Sequence, residues 1–176
     1  MRRVLVSVTL LLILLGGAVF GWNYLAVGRP LVQALDRDDR NVGISARAHF
    51  GSYVNSSIIV FDLRSVSSQN SPMDVFRALL QFAAAVKDNR YSRVQLAHRG
   101  RTKFILTGAY FAQLGAEYGD QNPTYTLRTF PEHLYRPDGA PAYATWTGGV
   151  LGVLNKQMED FNDFHRKWYI DDLIPK

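Results

Sequence analysis

The most constraining feature of this 176-residue chain is an apolar run near its N-terminus. The run covers residues 4–27, follows Arg2-Arg3, and is not followed by a charged residue until Arg29. A helix of about 20 apolar residues is long enough to cross the hydrocarbon core of a bilayer. Residues 1–28 are therefore predicted to be an N-terminal anchor that contacts the membrane.

The charges beside this run predict an orientation. Basic residues next to a membrane span tend to stay in the cytoplasm, so Arg2 and Arg3 place the rest of the chain outside it. We therefore expect a single-pass protein of the inner or plasma membrane. The alternative is a signal peptide cleaved near Ala18, where small residues follow an apolar core. That product would be secreted or periplasmic. Apolar character continues beyond Ala18, which favours the uncleaved anchor.

The composition excludes several kinds of site. The chain has no cysteine, so disulfides, thiolate metal ligands and a cysteine nucleophile are all absent. Its formal charge is +5, of which Arg2 and Arg3 supply two units. The remaining excess of +3 is too small to predict a nucleic-acid partner. No cofactor is predicted.

The anchor is expected to end at a Gly-Arg-Pro segment, residues 28–30, because proline disrupts helices. Residues 29–41 are predicted to be a linker, either a solvated connector or a short juxtamembrane helix, since residues 36–40 are mostly charged. Residues 42–176 are then predicted to form a single extracytoplasmic domain.

The centre of this domain is predicted to be a buried strand over residues 57–63, since four consecutive apolar residues start at Ile58. Apolar and polar residues alternate over 42–50, which predicts a partner strand with one wet face. A helix over 71–88 should follow, because Ser71 is a good N-cap and Pro72 suits the first helical position.

Further elements are indicated downstream. The pattern predicts a hairpin over 93–107, a short helix over 108–118, a strand over 124–129 and a long helix over 148–169. The apolar stripe of the last helix is expected to pack on the domain, with a partner helix as the alternative. The order β-β-α-β-β-α-β-α predicts an α+β fold in which helices pack on a mixed sheet.

The first candidate site lies at one edge of this sheet. If strands 57–63 and 93–98 are parallel, their carboxyl ends meet at the edge where open sheets often bind ligands. Asp62 is then expected to orient His98, and arginines to hold a carboxylate or phosphate. The alternative is an ordinary exposed set of charged turn residues. The candidate ligand-binding residues of this edge are Asp62, Arg64, His98, Arg99 and Arg101.

A second candidate region is the polar and aromatic stretch 124–136, which contributes Arg128 and His133 as candidate ligand-binding residues. The adjacent Glu132-His133 pair is poorly spaced to chelate one ion, so no metal site is predicted. His165 falls in the apolar stripe of the last helix, where a core histidine with satisfied hydrogen bonds is the expectation.

These observations favour a membrane-anchored, non-catalytic binding or accessory module with a protein partner in the cell envelope. One alternative is an envelope hydrolase with its site near Asp62 and His98, or near Glu132 and His133. Another is a polyanion-binding module that uses Arg99, Arg101, Lys103 and Arg128. The sequence predicts neither a substrate nor an oligomeric state.

The anchor prediction is tested by fractionation of cells that produce the full chain. We expect the intact polypeptide in the membrane pellet, resistant to alkaline carbonate and released by detergent, because residues 4–27 are held by hydrophobic burial. Intact protein found only in the cytosolic fraction would contradict the anchor.

Overall fold

The computed structural model describes residues 2–173 and begins with a long helical segment. Helix α1 (Arg2–Asn23) continues through a π-helical turn (Tyr24–Gly28) into α2 (Arg29–Asp36). Within the described residues, this is the one helical segment long and apolar enough to cross a membrane, by length and composition. A signal sequence would satisfy the same criterion.

The expected helix break at residues 28–30 is wrong. Gly28 has helical backbone angles, and Pro30 lies just after the π-helical turn, so the helical path continues across it. The sequence left two interpretations of residues 29–41, a solvated connector or a short juxtamembrane helix. The structure has a helix over residues 29–36. Leu31 and Ala34 are buried, so this short helix packs against the domain.

Four strands form a mixed sheet, as predicted. They are β1 (Ile44–Gly51), β2 (Asn55–Val66), β3 (Arg93–His98) and β4 (Arg101–Thr107). The spatial order is β1-β2-β3-β4; β2 and β3 are parallel, and the two outer pairs are antiparallel. Both predicted hairpins are therefore confirmed, and the parallel central pair meets the condition on which the predicted edge site depends.

The other helices are α3 (Pro72–Val86), α4 (Gly108–Glu117), α5 (Pro123–Thr129) and α6 (Val150–Trp168). Helix α3 connects the two parallel strands and begins with a capping box. The Ser71 hydroxyl accepts from the Asp74 backbone N–H, and the Asp74 carboxylate accepts from the Ser71 backbone N–H. The predicted α+β fold is confirmed.

The strand predicted over residues 124–129 is wrong, because this segment is helix α5. The Asn122 side chain accepts a hydrogen bond from the Thr124 N–H at 2.9 Å, and Pro123 occupies the first turn. This N-terminal cap outweighs the β preference of the alternating threonine and aromatic residues. A 3₁₀ turn (Phe130–His133) follows directly.

The core lies between the sheet and the helices, and aromatic residues dominate it. Phe61 of β2 lies 5.7 Å from Phe82 and 5.9 Å from Trp168, measured between ring centroids. The Trp168 indole N–H donates to the Ala97 carbonyl at 3.1 Å, which ties α6 to β3. The C-terminal half of α6 thus packs on the domain as expected, whereas Leu151 in its first turn is exposed.

Two helical glycines provide a matched test of packing. A Cβ at Gly115 of α4 would overlap the Ala83 backbone of α3, whereas a Cβ at Gly152 of α6 meets nothing within 4 Å. We expect Gly115→Ala to lower the free energy of unfolding by about 1–3 kcal/mol through overpacking. Gly152→Ala should leave it unchanged or raise it by up to about 1 kcal/mol. Denaturant unfolding in detergent measures both; equal stability of the two variants would contradict the close helix packing.

Candidate functional site

The predicted edge residues lie on opposite faces of the sheet. The register pairs Asp62 with Ala97 and Leu63 with His98. Because side chains alternate between faces along a strand, Asp62 points away from the helices and His98 points toward them. The expected orientation of His98 by Asp62 therefore does not occur.

Asp62 lies on the face away from the helices and is 4% exposed. One carboxylate oxygen accepts from Arg64 Nη1 at 2.8 Å, and the other accepts from the Gly100 backbone N–H at 2.9 Å. Asp62 and Arg64 are therefore in direct contact at the strand end, a pairing that the sequence did not predict. Arg99 follows β3 with a positive φ of 50°. Its Nε reaches the Arg64 carbonyl oxygen at 3.4 Å.

These residues belong to a larger basic surface, which we call the arginine face. It consists of Arg47, Arg64, Arg93 and Arg99. Asp62 is the only carboxylate in the four strands, and Arg64 already pairs with it. Within residues 2–173, the other three arginines form no salt bridge, and all three are exposed. Three positive charges thus stand on a solvent-accessible sheet surface. The sequence prediction missed Arg47 and Arg93, although their positions on wet faces of strands were a usable signal.

His98 has a different carboxylate partner on the helical side. Its Nδ1 donates to Asp172 at 2.8 Å, and the Lys103 ammonium lies 2.8 Å from the same carboxylate oxygen. Arg101 is more distant, at 3.7 Å. The hydrogen bonds from His98 and Lys103 lower the pKa of Asp172 to about 2. Asp172 lies 74 residues after His98, and no local sequence pattern pointed to it.

Two further polar side chains are buried beside His98. The Tyr169 and His98 ring centroids are 6.4 Å apart, and those of Tyr169 and His165 are 5.8 Å apart. Both His165 nitrogens and the Tyr169 hydroxyl lack a hydrogen-bond partner in the described chain, so the expectation of a satisfied core histidine is wrong. Burial lowers the pKa of His165 to about 3, so this imidazole is neutral at neutral pH. Burial also raises the pKa of Tyr169 to about 12.

Arg128 and His133 belong to the α5–α6 layer and make contacts of their own. Arg128 Nε donates to Gln157, whose amide in turn donates to Glu132, each at 2.9 Å. The His133 ring stacks on Tyr110 at a centroid distance of 3.7 Å. Burial lowers the pKa of His133. Glu132 thus hydrogen-bonds to Gln157, whereas His133 packs on an aromatic ring. Because each side chain contacts a different neighbour, the arrangement favours a structural role over an acid–base pair.

A mainly apolar cleft with a volume of about 420 Å³ lies among α3, α4 and α5. Its lining includes Phe76, Leu80 and Leu114. Arg77 also lines it, but this guanidinium already pairs with Asp74 at 2.8 Å and with Asp38 at 3.3 Å. Glu117 also lines the cleft and forms no salt bridge within residues 2–173; its carboxylate accepts from the Gln113 amide at 2.8 Å.

Comparisons with protein-family models, with curated proteins and with solved structures gave no match. The function must therefore be argued from the side chains themselves, because a fold alone does not identify an activity.

The His98–Asp172 contact predicts a dependence of stability on pH. Because the folded state lowers the pKa of Asp172, this carboxylate stabilises the fold fully above its ordinary value of about 3.9, and the contribution is lost as the pH falls toward 2. We expect Asp172→Asn to lower the free energy of unfolding by about 1 kcal/mol at pH 7, near the upper range for a partly exposed ion pair.

The measurement is denaturant unfolding between pH 7 and pH 2, where the difference from the parent protein should shrink below pH 4. Asp171→Asn is the control, because Asp171 is exposed and forms no salt bridge in the described chain. Equal destabilisation by both substitutions, or a difference that persists at pH 2, would contradict the proposed role of Asp172.

Proposed function

We propose that this protein is a non-catalytic binding module, held at the outer surface of a cytoplasmic membrane by residues 4–27. We propose further that the arginine face is its binding surface, and that the partner is an anionic envelope polymer or an acidic protein segment. The orientation follows from Arg2 and Arg3 beside the apolar helix.

The observation that supports this proposal best is the set of unpaired arginines on the sheet. Guanidinium groups bind carboxylates and phosphates through paired hydrogen bonds, so Arg47, Arg93 and Arg99 are suited to an anionic partner. Arg93 and Arg99 begin and follow β3, which separates them by about 20 Å at 3.3 Å per residue. An extended ligand with several negative charges matches that spacing better than a single small anion.

The hydrolase alternative has weaker support. General acid–base catalysis needs a side chain within hydrogen-bond reach of substrate, and His98 is only 1% exposed. Asp62 is also buried, and its carboxylate is already hydrogen-bonded to Arg64 and Gly100. It lies on the opposite face of the sheet from His98.

The test is a triple variant of the full-length protein in lipid nanodiscs. Arg47→Ala/Arg93→Ala/Arg99→Ala should weaken binding of polyglutamate and of polyphosphate at least tenfold, the effect of losing about 1.4 kcal/mol. Affinity of the parent protein should also fall steeply as sodium chloride rises, because the contacts are exposed charges.

A charge-matched control separates a specific surface from the overall charge. Arg37→Ala/Lys87→Ala/Arg136→Ala removes three exposed positive charges outside the arginine face and should leave the affinity nearly unchanged. Equal loss in both variants would show that net charge alone attracts the polyanions. Undetectable binding by the parent protein at low salt would refute this choice of partner.

A further inference from the structure

One amide side chain fastens the apolar helix to the β1–β2 hairpin. Asn23 Nδ2 donates to the Val19 carbonyl at 2.8 Å and to the Tyr53 carbonyl at 2.7 Å. Its Oδ1 accepts from the Phe50 backbone N–H at 2.7 Å. Asn23 is buried, and a buried amide that makes all three bonds holds its neighbours in one arrangement. The hairpin turn therefore has a fixed height along the helix.

Ring contacts hold the same turn against the helix. The Phe20 and Tyr53 ring centroids are 5.3 Å apart, and those of Trp22 and Phe50 are 4.7 Å apart. Phe20 lies one helical turn before Asn23, within the apolar run. The hairpin turn therefore contacts the part of the apolar run that precedes Asn23. The turn thus lies next to the segment that the anchor proposal places in lipid.

The tip of this turn carries two exposed apolar side chains, and one of them, Tyr53, also stacks on the His49 ring at a centroid distance of 4.3 Å. Val54 is 63% exposed and Tyr53 is 40% exposed. Ser52 and Tyr53 both adopt positive φ angles, 48° and 64°, a conformation that non-glycine residues seldom adopt. Together with the exposed Phe20 ring of the helix (64%), these side chains extend the apolar surface of the anchor, and contiguous apolar surface marks membrane or partner contacts.

The length of the helix sets the depth of this tip. At a rise of 1.5 Å per residue, about 20 residues cross a hydrocarbon core of roughly 30 Å. A span that begins at Val4 therefore ends near Asn23, and Phe20 lies about 4.5 Å inside that boundary by the same rise. Tyr53, which contacts both residues, must lie where the acyl chains meet the headgroups.

We infer that the β1–β2 turn, residues 51–55, is a second membrane contact, in which Val54 and the Tyr53 ring insert into the interfacial layer of the bilayer. This inference rests on the proposed membrane anchor. The occupant of the apolar tip is the same lipid leaflet that receives the end of the helix, because Asn23 joins the two. Tyrosine suits this depth, since its ring is apolar and its hydroxyl remains in the wet layer.

This contact fixes how the domain stands on the membrane. Strand β1 runs from Ile44 at the far end to Gly51 beside the turn, about 23 Å at 3.3 Å per residue. The residues at the opposite end of the strand are therefore held well away from the lipid, and the domain cannot rotate freely about the helix.

The absence of cysteine makes a direct test possible with single-cysteine probes. Val54→Cys and Val42→Cys are a matched pair, because both valines are exposed (63% and 77%) and they lie at opposite ends of the β1–β2 hairpin. Each full-length variant is labelled with an environment-sensitive fluorophore and reconstituted into phosphatidylcholine–phosphatidylglycerol vesicles that contain lipids with shallow nitroxide quenchers. Flotation of the vesicles reports anchoring separately.

The expected result is that both variants float with the vesicles, that the probe at Val54 loses most of its emission, and that the probe at Val42 keeps it. Flotation with an unquenched probe at Val54, or equal quenching at both positions, would overturn this inference and leave the anchor intact. Failure of both variants to float would overturn the anchor as well. Ser52→Cys at the same turn repeats the measurement if Val54→Cys does not fold.

Discussion

The buried side chain of Asn23 is the contact on which the arrangement of the molecule depends. An amide in an apolar helix is costly to bury unless each of its groups finds a partner. Here the partners are backbone groups of Val19, Phe50 and Tyr53. The Asn23 side chain is therefore fully hydrogen-bonded only when the helix packs against the hairpin. Phe50 belongs to the edge strand β1, whose free N–H group is satisfied at the same time.

From this junction the helical segment continues into the folded domain. Leu31 packs into the core, and at the end of α2 the Asp38 carboxylate binds Arg40, Arg77 and the Gln81 amide. The hydrogen bonds from Arg40, and then that from Gln81, hold the Asp38 pKa well below its usual range. The apolar helix and the domain are therefore joined by packing and hydrogen bonds, in contrast to a flexible tether.

The two faces of the sheet have different roles. Phe61, Leu63 and His98 face the helices and belong to the buried side of the fold. The opposite face exposes arginines that outnumber the single carboxylate of the strands. Burial of that face against a helix would leave Arg47, Arg93 and Arg99 as unpaired charges, which is strongly unfavourable. An anionic partner pairs with these arginines and so avoids the cost of unpaired charges. The arginine face is therefore the better binding candidate of the two faces of the sheet.

The sequence by itself determined the elements that depend on nearby residues. The apolar run predicted the long N-terminal helix, Ser71 and Pro72 predicted the start of α3, and alternation predicted the hairpins. A local signal misled at two places: the helix continues past Pro30, which lies just after a π-helical turn, and Asn122 caps α5 where a strand was expected. Only the tertiary structure decided which charges meet. Asp172 binds His98 across 74 residues, and the sheet register separates His98 from Asp62. The physical reason is that capping and periodicity act within a few residues, whereas ion pairs form wherever folding brings distant side chains together.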